Sequence, residues 1–426
     1  MVILKIMRII EPRELERRKL YRLKASKSKR RFRPLRFLIP LTIIVYVSVS
    51  LLMPLEPLNA NIDKLNMPVS AESPLPWPGY GQAAIGAVDY GLLASYGEQK
   101  PVPIASMAKV ITALAVLKVK PMPPNSFGGN IAITDSDVAT YFAYASQGQS
   151  VVRVAAGSEI TQYQAFQALL LPSGNNMADI LVRWAFGSTE EYLAFVNPFV
   201  STLGMNNTTI ADASGFSPQT VSTSEDMLKL AEIAINQPTI AEIVRQTQAS
   251  LPTAGVVRST NLQLGTAGII GIKTGNTDQA GSCYMYAAER KTSDGQDVKL
   301  IGVVMGAPVL PVAMSASLTL IEDSLLRFKS VELFKPNQQL GEVSQKQGIE
   351  VPIVTKTPEP LLGWAGKNFI PTISYEKLSD HIAQGDKVAT LNLQLADKQY
   401  EIELVAQEAI PVRNLSWRFR HLGGLL

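Results

Sequence analysis

The chain has one cysteine, Cys283, and two histidines, His381 and His421, in 426 residues. A single cysteine excludes an intrachain disulfide and any cysteine-rich metal site. It reads as a small buried hydrophobe. Both histidines fall beyond residue 380, so the body of the chain has no Ser-His-Asp triad. Nor has it a paired-histidine zinc motif, and the two histidines read as surface residues. No metal or cofactor is expected. Charge is sparse as well, at 18% against 46% hydrophobic residues, the composition of a folded chain. Its length allows about two or three domains with a sizeable core.

The formal net charge of +4 hides an asymmetry. Residues 1–36 hold 14 Lys/Arg and 3 Asp/Glu, whereas the remainder holds 26 and 33. A basic tail on a mildly acidic body is not the footprint of a nucleic-acid binder. The tail runs into residues 37–55, which are uncharged and mostly apolar. At about 1.5 Å per residue this stretch roughly spans a hydrocarbon core of about 30 Å. Lys29, Arg30, Arg31, Arg33 and Arg36 precede it and should hold the N-terminus in the cytoplasm. A retained single-pass anchor with the body on the extracytoplasmic face is therefore expected. A cleavable signal peptide is the alternative, disfavoured by the long basic region and a poor cleavage site at residues 58–60.

Residues 56–77 are rich in Pro, Asn, Ser and Glu and read as a linker leaving the membrane. Residues 83–96 suggest a hairpin. Apolar positions 107, 110, 111, 114, 115 and 117 predict a helix over 106–119, with Ser106 at its start. Thr161 and Gln164 form a capping-box pattern that opens a helix ending at Pro172. Further helices are predicted from about 176 to 184, over 189–203 and over 224–235. From residue 268 the pattern turns to strands over 271–274, 283–290 and 298–305, followed by a helix near 313–333. Residues 335–426 are dominated by short strands such as 387–394 and 400–405, and suggest a separate β-domain. Trp417 and Phe419 alternate with Arg418 and Arg420. They read as a terminal strand, or otherwise as a membrane-surface patch.

Three serines stand three residues before a lysine: Ser26 with Lys29, Ser106 with Lys109, and Ser374 with Lys377. On a helix that spacing puts both side chains on one face, and the amine can take the serine's proton. The first pair falls in the cytoplasmic tail and the third in the β-rich region, leaving Ser106 and Lys109. Two Ser-x-Asn triplets follow, Ser173 to Asn175 and Ser259 to Asn261. The first follows a capped helix, and the second leads directly towards the Lys273 strand. Lys273-Thr274-Gly275 occurs once. Ser-x-x-Lys, Ser-x-Asn and Lys-Thr-Gly in that order form the motif set of penicillin-binding proteins and class A β-lactamases.

The text around residues 170–176, 273–283 and 300–307 closely resembles the low-molecular-mass penicillin-binding D-alanyl-D-alanine carboxypeptidases. The resemblance covers approximately residues 78–333, and residues 384–388 with the strands after them look like that family's small C-terminal β-domain. It implies an α/β (α+β) catalytic domain at 78–334, with a central antiparallel sheet flanked by helices and a helical subdomain, followed by the β-rich domain at 335–426. The N-terminal anchor departs from the many members that carry a cleaved signal and a C-terminal amphipathic anchor. The implied activity is removal of the terminal D-alanine from peptidoglycan stem pentapeptides, with β-lactams as covalent inhibitors. Ser106 would be the nucleophile and Lys109 its neutral general base, with Ser173 relaying a proton. Asn175 would hold the substrate's peptide, and Lys273 and Thr274 the terminal carboxylate. Gly275 would let the substrate backbone approach, and the backbone N–H groups of Ser106 and Asn276 would form the oxyanion hole. A DD-endopeptidase uses the same residues and stays open. A class A β-lactamase would need an E-x-x-L-N pattern that is missing, its nearest approach being Glu190 to Ala194. A non-catalytic penicillin-binding sensor is the remaining alternative.

Overall fold

The computed structural model describes residues 33–68, 71, 74–123, 126–345 and 349–420. Most of the basic tail, Ser26 and Lys29 included, lies outside the described residues, as does His421. A five-stranded antiparallel sheet organises the first part of the body. Its spatial order is Ile269–Thr277, Gly281–Lys291, Asp297–Ala307, Gln82–Ala87 and Gly91–Tyr96. The central strands are apolar on both faces because each face is covered. Cys283, Met285 and Ala287 pack with the helical middle of the chain. Tyr284, Tyr286 and Ala288 point the other way, onto the helix Leu310–Arg327 and the residues beyond it. The Lys273 strand is one edge of this sheet.

The helical middle comprises Ala108–Val119, Asp135–Ser146, Gln162–Leu170, Asn175–Phe186, Thr189–Thr202, Ser224–Asn236 and Pro238–Val244. Thr161 and Gln164 do form a capping box. Asp135–Ser146 was not foreseen, although Thr134 and Asp137 cap it in the same way. Asp137 is the only fully buried residue of that helix, and its apolar face is only half-buried, with Val138 and Tyr141 resting against the core. Ser106 does not open an α-helix either. It lies in a short 3-10 turn, Ala105–Met107, directly before the helix Ala108–Val119.

Three further expectations are corrected. The proposed linker contains a strand, Asn59–Ile62, which pairs with Gln339–Gln345 at the edge of a second, six-stranded sheet. Polar composition masked it, since an edge strand needs only its backbone groups to pair. The helix expected to reach residue 333 stops at Arg327, and Phe328–Val331 forms a strand against Leu361–Trp364. Residues Leu415–Arg420 form a short helix, not a terminal strand. The Asn414 side chain accepts from the Trp417 N–H at 3.1 Å. That cap outweighs an alternation only four residues long.

Arg33–Leu52 is helical, and Phe37, Leu38, Ile39, Leu41, Ile43 and Ile44 along it are exposed. Among the described residues no helix is long and apolar enough to cross a membrane, and the described side chains of this one begin at Phe37.

Candidate active site

Three segments far apart in sequence converge at the edge strand. Lys109 Nζ lies 2.7 Å from Ser106 Oγ and donates to the Ser214 carbonyl at 2.9 Å. Lys273 Nζ donates to Ser173 Oγ and to the Thr274 carbonyl, each at 2.9 Å. Ser173, Asn175, Lys109, Lys273 and Thr274 are all buried, whereas Ser106 is half-buried and Asn276 exposed. Ala105 and Ser173 both hold positive φ, +46° and +66°, a conformation that costs a non-glycine residue energy and clusters at functional sites. Gly275 has a role that the sequence did not reveal. A Cβ there would stand 3.0 Å from Ala105 Cβ and 3.1 Å from the Ser106 nitrogen. Glycine thus lets the edge strand lie directly against the Ser106 turn.

Burial sets the electrostatics. Lys273 is pushed down to about 7 by desolvation. Lys109 falls well below the usual lysine range, first through burial and then through the positive charge of Lys273. Asp212 and Asp179 pull it the other way. An amine that gives one hydrogen to the Ser214 carbonyl and is held neutral has its lone pair free for the serine hydroxyl. The arrangement can therefore generate an alkoxide-like nucleophile without histidine. Among the described residues no His/Cys/Asp/Glu group could hold a metal ion. The 890 Å³ hollow beside Tyr90, Lys299, Lys398 and Tyr400 contains none of the motif residues. The motif residues gather instead at the Lys273 edge strand.

A family model described as D-alanyl-D-alanine carboxypeptidase matches residues 87–309, just over half of the chain. The chain belongs to that family. D-alanyl-D-alanine carboxypeptidase DacF of Bacillus subtilis (strain 168) is 24% identical over 302 residues, covering 68% of this chain and 74% of that one. DacC of Escherichia coli (strain K12) is 25% identical over 355 residues, covering 78% and 84%. The D-alanyl-D-alanine endopeptidase of the same strain is 29% identical over 188 residues, 42% of this chain and 57% of its own. Among solved structures, the D-alanyl-D-alanine carboxypeptidase DacD from Francisella tularensis superposes with a TM-score of 0.55 at 20% identity, covering 81% and 96%. The Streptomyces K15 DD-transpeptidase gives 0.51 at 23% identity, covering 60% and 98%. The fold is that of the DD-peptidases.

In this carboxypeptidase-family chain several supporting residues escaped the sequence reading. Asp212 accepts from Ser214 N, Ser214 Oγ, Phe216 N and Thr220 Oγ1. It thereby fixes the loop whose Ser214 carbonyl meets Lys109. The only sequence signal was the turn-forming text Asp212-Ala-Ser-Gly215. Ser259-Thr260-Asn261, the second triplet, also reaches the site. Thr260 Oγ1 and Thr274 Oγ1 lie 2.7 Å apart, and Asn261 Oδ1 accepts from the buried Tyr284 hydroxyl. Asn276 Oδ1 accepts from Ser282 Oγ, which steadies the end of the strand. Ser374 lies on a strand of the second sheet, so it and Lys377 share no helix face.

Proposed function

We infer that this chain is a serine-type D-Ala-D-Ala carboxypeptidase that trims the terminal D-alanine from peptidoglycan stem pentapeptides through an acyl-enzyme on Ser106. The observation that carries this reading is the 2.7 Å contact between Ser106 Oγ and the buried Lys109 amine, with the Lys273–Ser173 pair beside it. Lys109 takes the hydroxyl proton as Ser106 Oγ attacks the penultimate carbonyl. The oxyanion is held by the backbone N–H groups of Ser106 and Asn276. The proton passes through Ser173 to the nitrogen of the departing D-alanine, and the C–N bond breaks. Water then attacks the ester, Lys109 again taking a proton, and Ser106 is released. Lys273 and Thr274 receive the terminal carboxylate, and Asn175 receives a carbonyl of the stem peptide.

A β-lactam would enter the same path and stop at the acyl-enzyme. A fluorescent penicillin is expected to label the protein covalently, and Ser106→Ala to abolish the label. Equal labelling of the variant would remove Ser106 as nucleophile. Release of free D-alanine from a pentapeptide stem supports the carboxypeptidase. Cleavage confined to cross-linked muropeptides would support an endopeptidase, and rapid turnover of penicillin a β-lactamase. We also read the helix at residues 33–52 as part of a membrane anchor that places this chemistry outside the cytoplasm. The basic residues before it and its exposed apolar side chains support that reading.

A further inference from the structure

Asn175 is not idle in the resting molecule. Its Nδ2 donates to Gln149 Oε1 at 2.6 Å, and Gln149 Nε2 donates in turn to Gln147 Oε1 at 2.9 Å. An amide carbonyl from the protein thus already occupies the donor that the preceding section assigns to an amide carbonyl of the substrate. We propose that Gln149 is a specificity-determining residue whose side chain stands in for the substrate's amide carbonyl and has to swing away before a stem peptide or an acylamino β-lactam can seat.

The loop around Gln149 is built so that this side chain can leave. Its backbone is held by other groups. Asn175 N donates to the Ser150 carbonyl at 2.8 Å, and Asn176 bridges Val152 through both its N–H and its carbonyl. Gln149 N donates to the Tyr144 carbonyl at 3.1 Å, closing the turn after the helix Asp135–Ser146. Gln147, Gly148 and Ser150 are exposed, and Gln149 itself is half-buried. The side chain therefore runs from the buried Asn175 out to a surface glutamine, with solvent at its far end. Rotating it costs the hydrogen bond to Asn175, which an incoming carbonyl replaces, and the exposed one to Gln147, which water replaces. The exchange favours ligands that bring such a carbonyl. A ligand without one must either leave Gln149 in place or strand the Asn175 amide, and a buried unpaired donor is costly. Gln149 would thereby compete with the carbonyl of an acylated amine for Asn175 and leave an amine without that carbonyl unaffected.

The proposal rests on the acyl-enzyme reading above, and two penicillins separate the two. Benzylpenicillin carries an acylamino carbonyl, whereas 6-aminopenicillanic acid has the same reactive ring and carboxylate without it. Acylation rates of the full chain are compared for wild type, Gln149→Ala and Gln149→Met; the second variant keeps side-chain length but has no amide oxygen. Both are expected to speed acylation by benzylpenicillin by about two- to tenfold, the factor that one neutral hydrogen bond represents. Acylation by 6-aminopenicillanic acid should stay unchanged, and any fall in the thermal midpoint from the unpaired Asn175 amide should leave that rate untouched. Unchanged or slower benzylpenicillin acylation would overturn the proposal, as would an equal change for both compounds. Failure of the wild type to react with either compound would sink the acyl-enzyme reading itself, and this proposal with it.

Discussion

Two lysines in this protein are buried and close to a serine each, and their behaviour follows from the same cause. Desolvation disfavours the charged form, so the folded state holds Lys273 near 7 against an ordinary value of 10.5. Between those values the unfolded chain binds a proton that the folded chain does not. By linkage, the contribution of this group to stability rises as pH climbs from about 7 towards 10.5. Replacing Lys273 by Met should therefore flatten the pH dependence of the urea midpoint across that window. The same variant loses a positive charge that depresses Lys109. Whatever penicillin labelling remains should lose its acid limb at a higher pH than in the wild type. An unaltered slope and an unaltered limb would show that Lys273 does not titrate as its burial requires. The motif residues themselves could be read from sequence because their spacing is short and rigid on a helix or turn. Gln149, Asp212 and Thr260 could not, since each reaches the site from a loop that only folding brings near.

At the level of elements, the longer helices with buried apolar faces were legible, whereas the seven-residue Pro238–Val244 was not, although it buries Ile240, Ile243 and Val244. Asn175–Phe186 buries a continuous stripe, and its pattern announces it. Asp135–Ser146 is mainly surface and rests on its cap and on the Arg183–Asp137 ion pair at 2.8 Å. The strand Asn59–Ile62 is the extreme case. It is held by backbone pairing to Gln339–Gln345, and a Cβ at Gly341 would stand 2.1 Å from the Asn61 carbonyl oxygen. Gly341→Ala should consequently displace that strand without touching the catalytic sheet. The expected signs are new proteolytic cleavage near residues 56–67, a loss of about 1–3 kcal/mol in stability and unchanged penicillin labelling. Intact resistance to cleavage would mean that the strand contributes nothing there. The helix Leu415–Arg420 meets the same region, because Arg418 donates to the Leu51 and Met53 carbonyls at 2.7 and 2.6 Å.

For the whole molecule, those contacts tie the N-terminal helix to the second sheet, while Ser106 works at the far edge of the first. The turn between the last two strands of the second sheet approaches the opposite edge, where Asp397 N donates to the Tyr90 carbonyl and Lys398 pairs with Asp89. The first sheet places three strands between its Lys273 edge and its Gly91 edge. On the anchor reading, the second sheet stands between the membrane and Ser106 as a spacer. Full-length protein should then stay with membranes through an alkaline carbonate wash, and a variant starting at residue 57 should appear in the soluble fraction with its penicillin labelling intact. Release of the full-length chain by the wash would remove the anchor.

Sequence alone determined the chemistry, because a nucleophile, its base and their partners must be particular residue types at particular short spacings. It also determined the alternation of helix-rich and strand-rich regions, which hydrophobic periodicity writes directly into the chain. Tertiary structure alone decided which Ser-x-x-Lys pair is buried beside a second lysine, and that both Ser-x-Asn triplets converge on one strand. It decided too that a polar linker joins a sheet and that a glutamine from a surface loop reaches Asn175. Those outcomes depend on long-range contacts, and burial, the force that shifts both lysines, does not exist until the chain has folded.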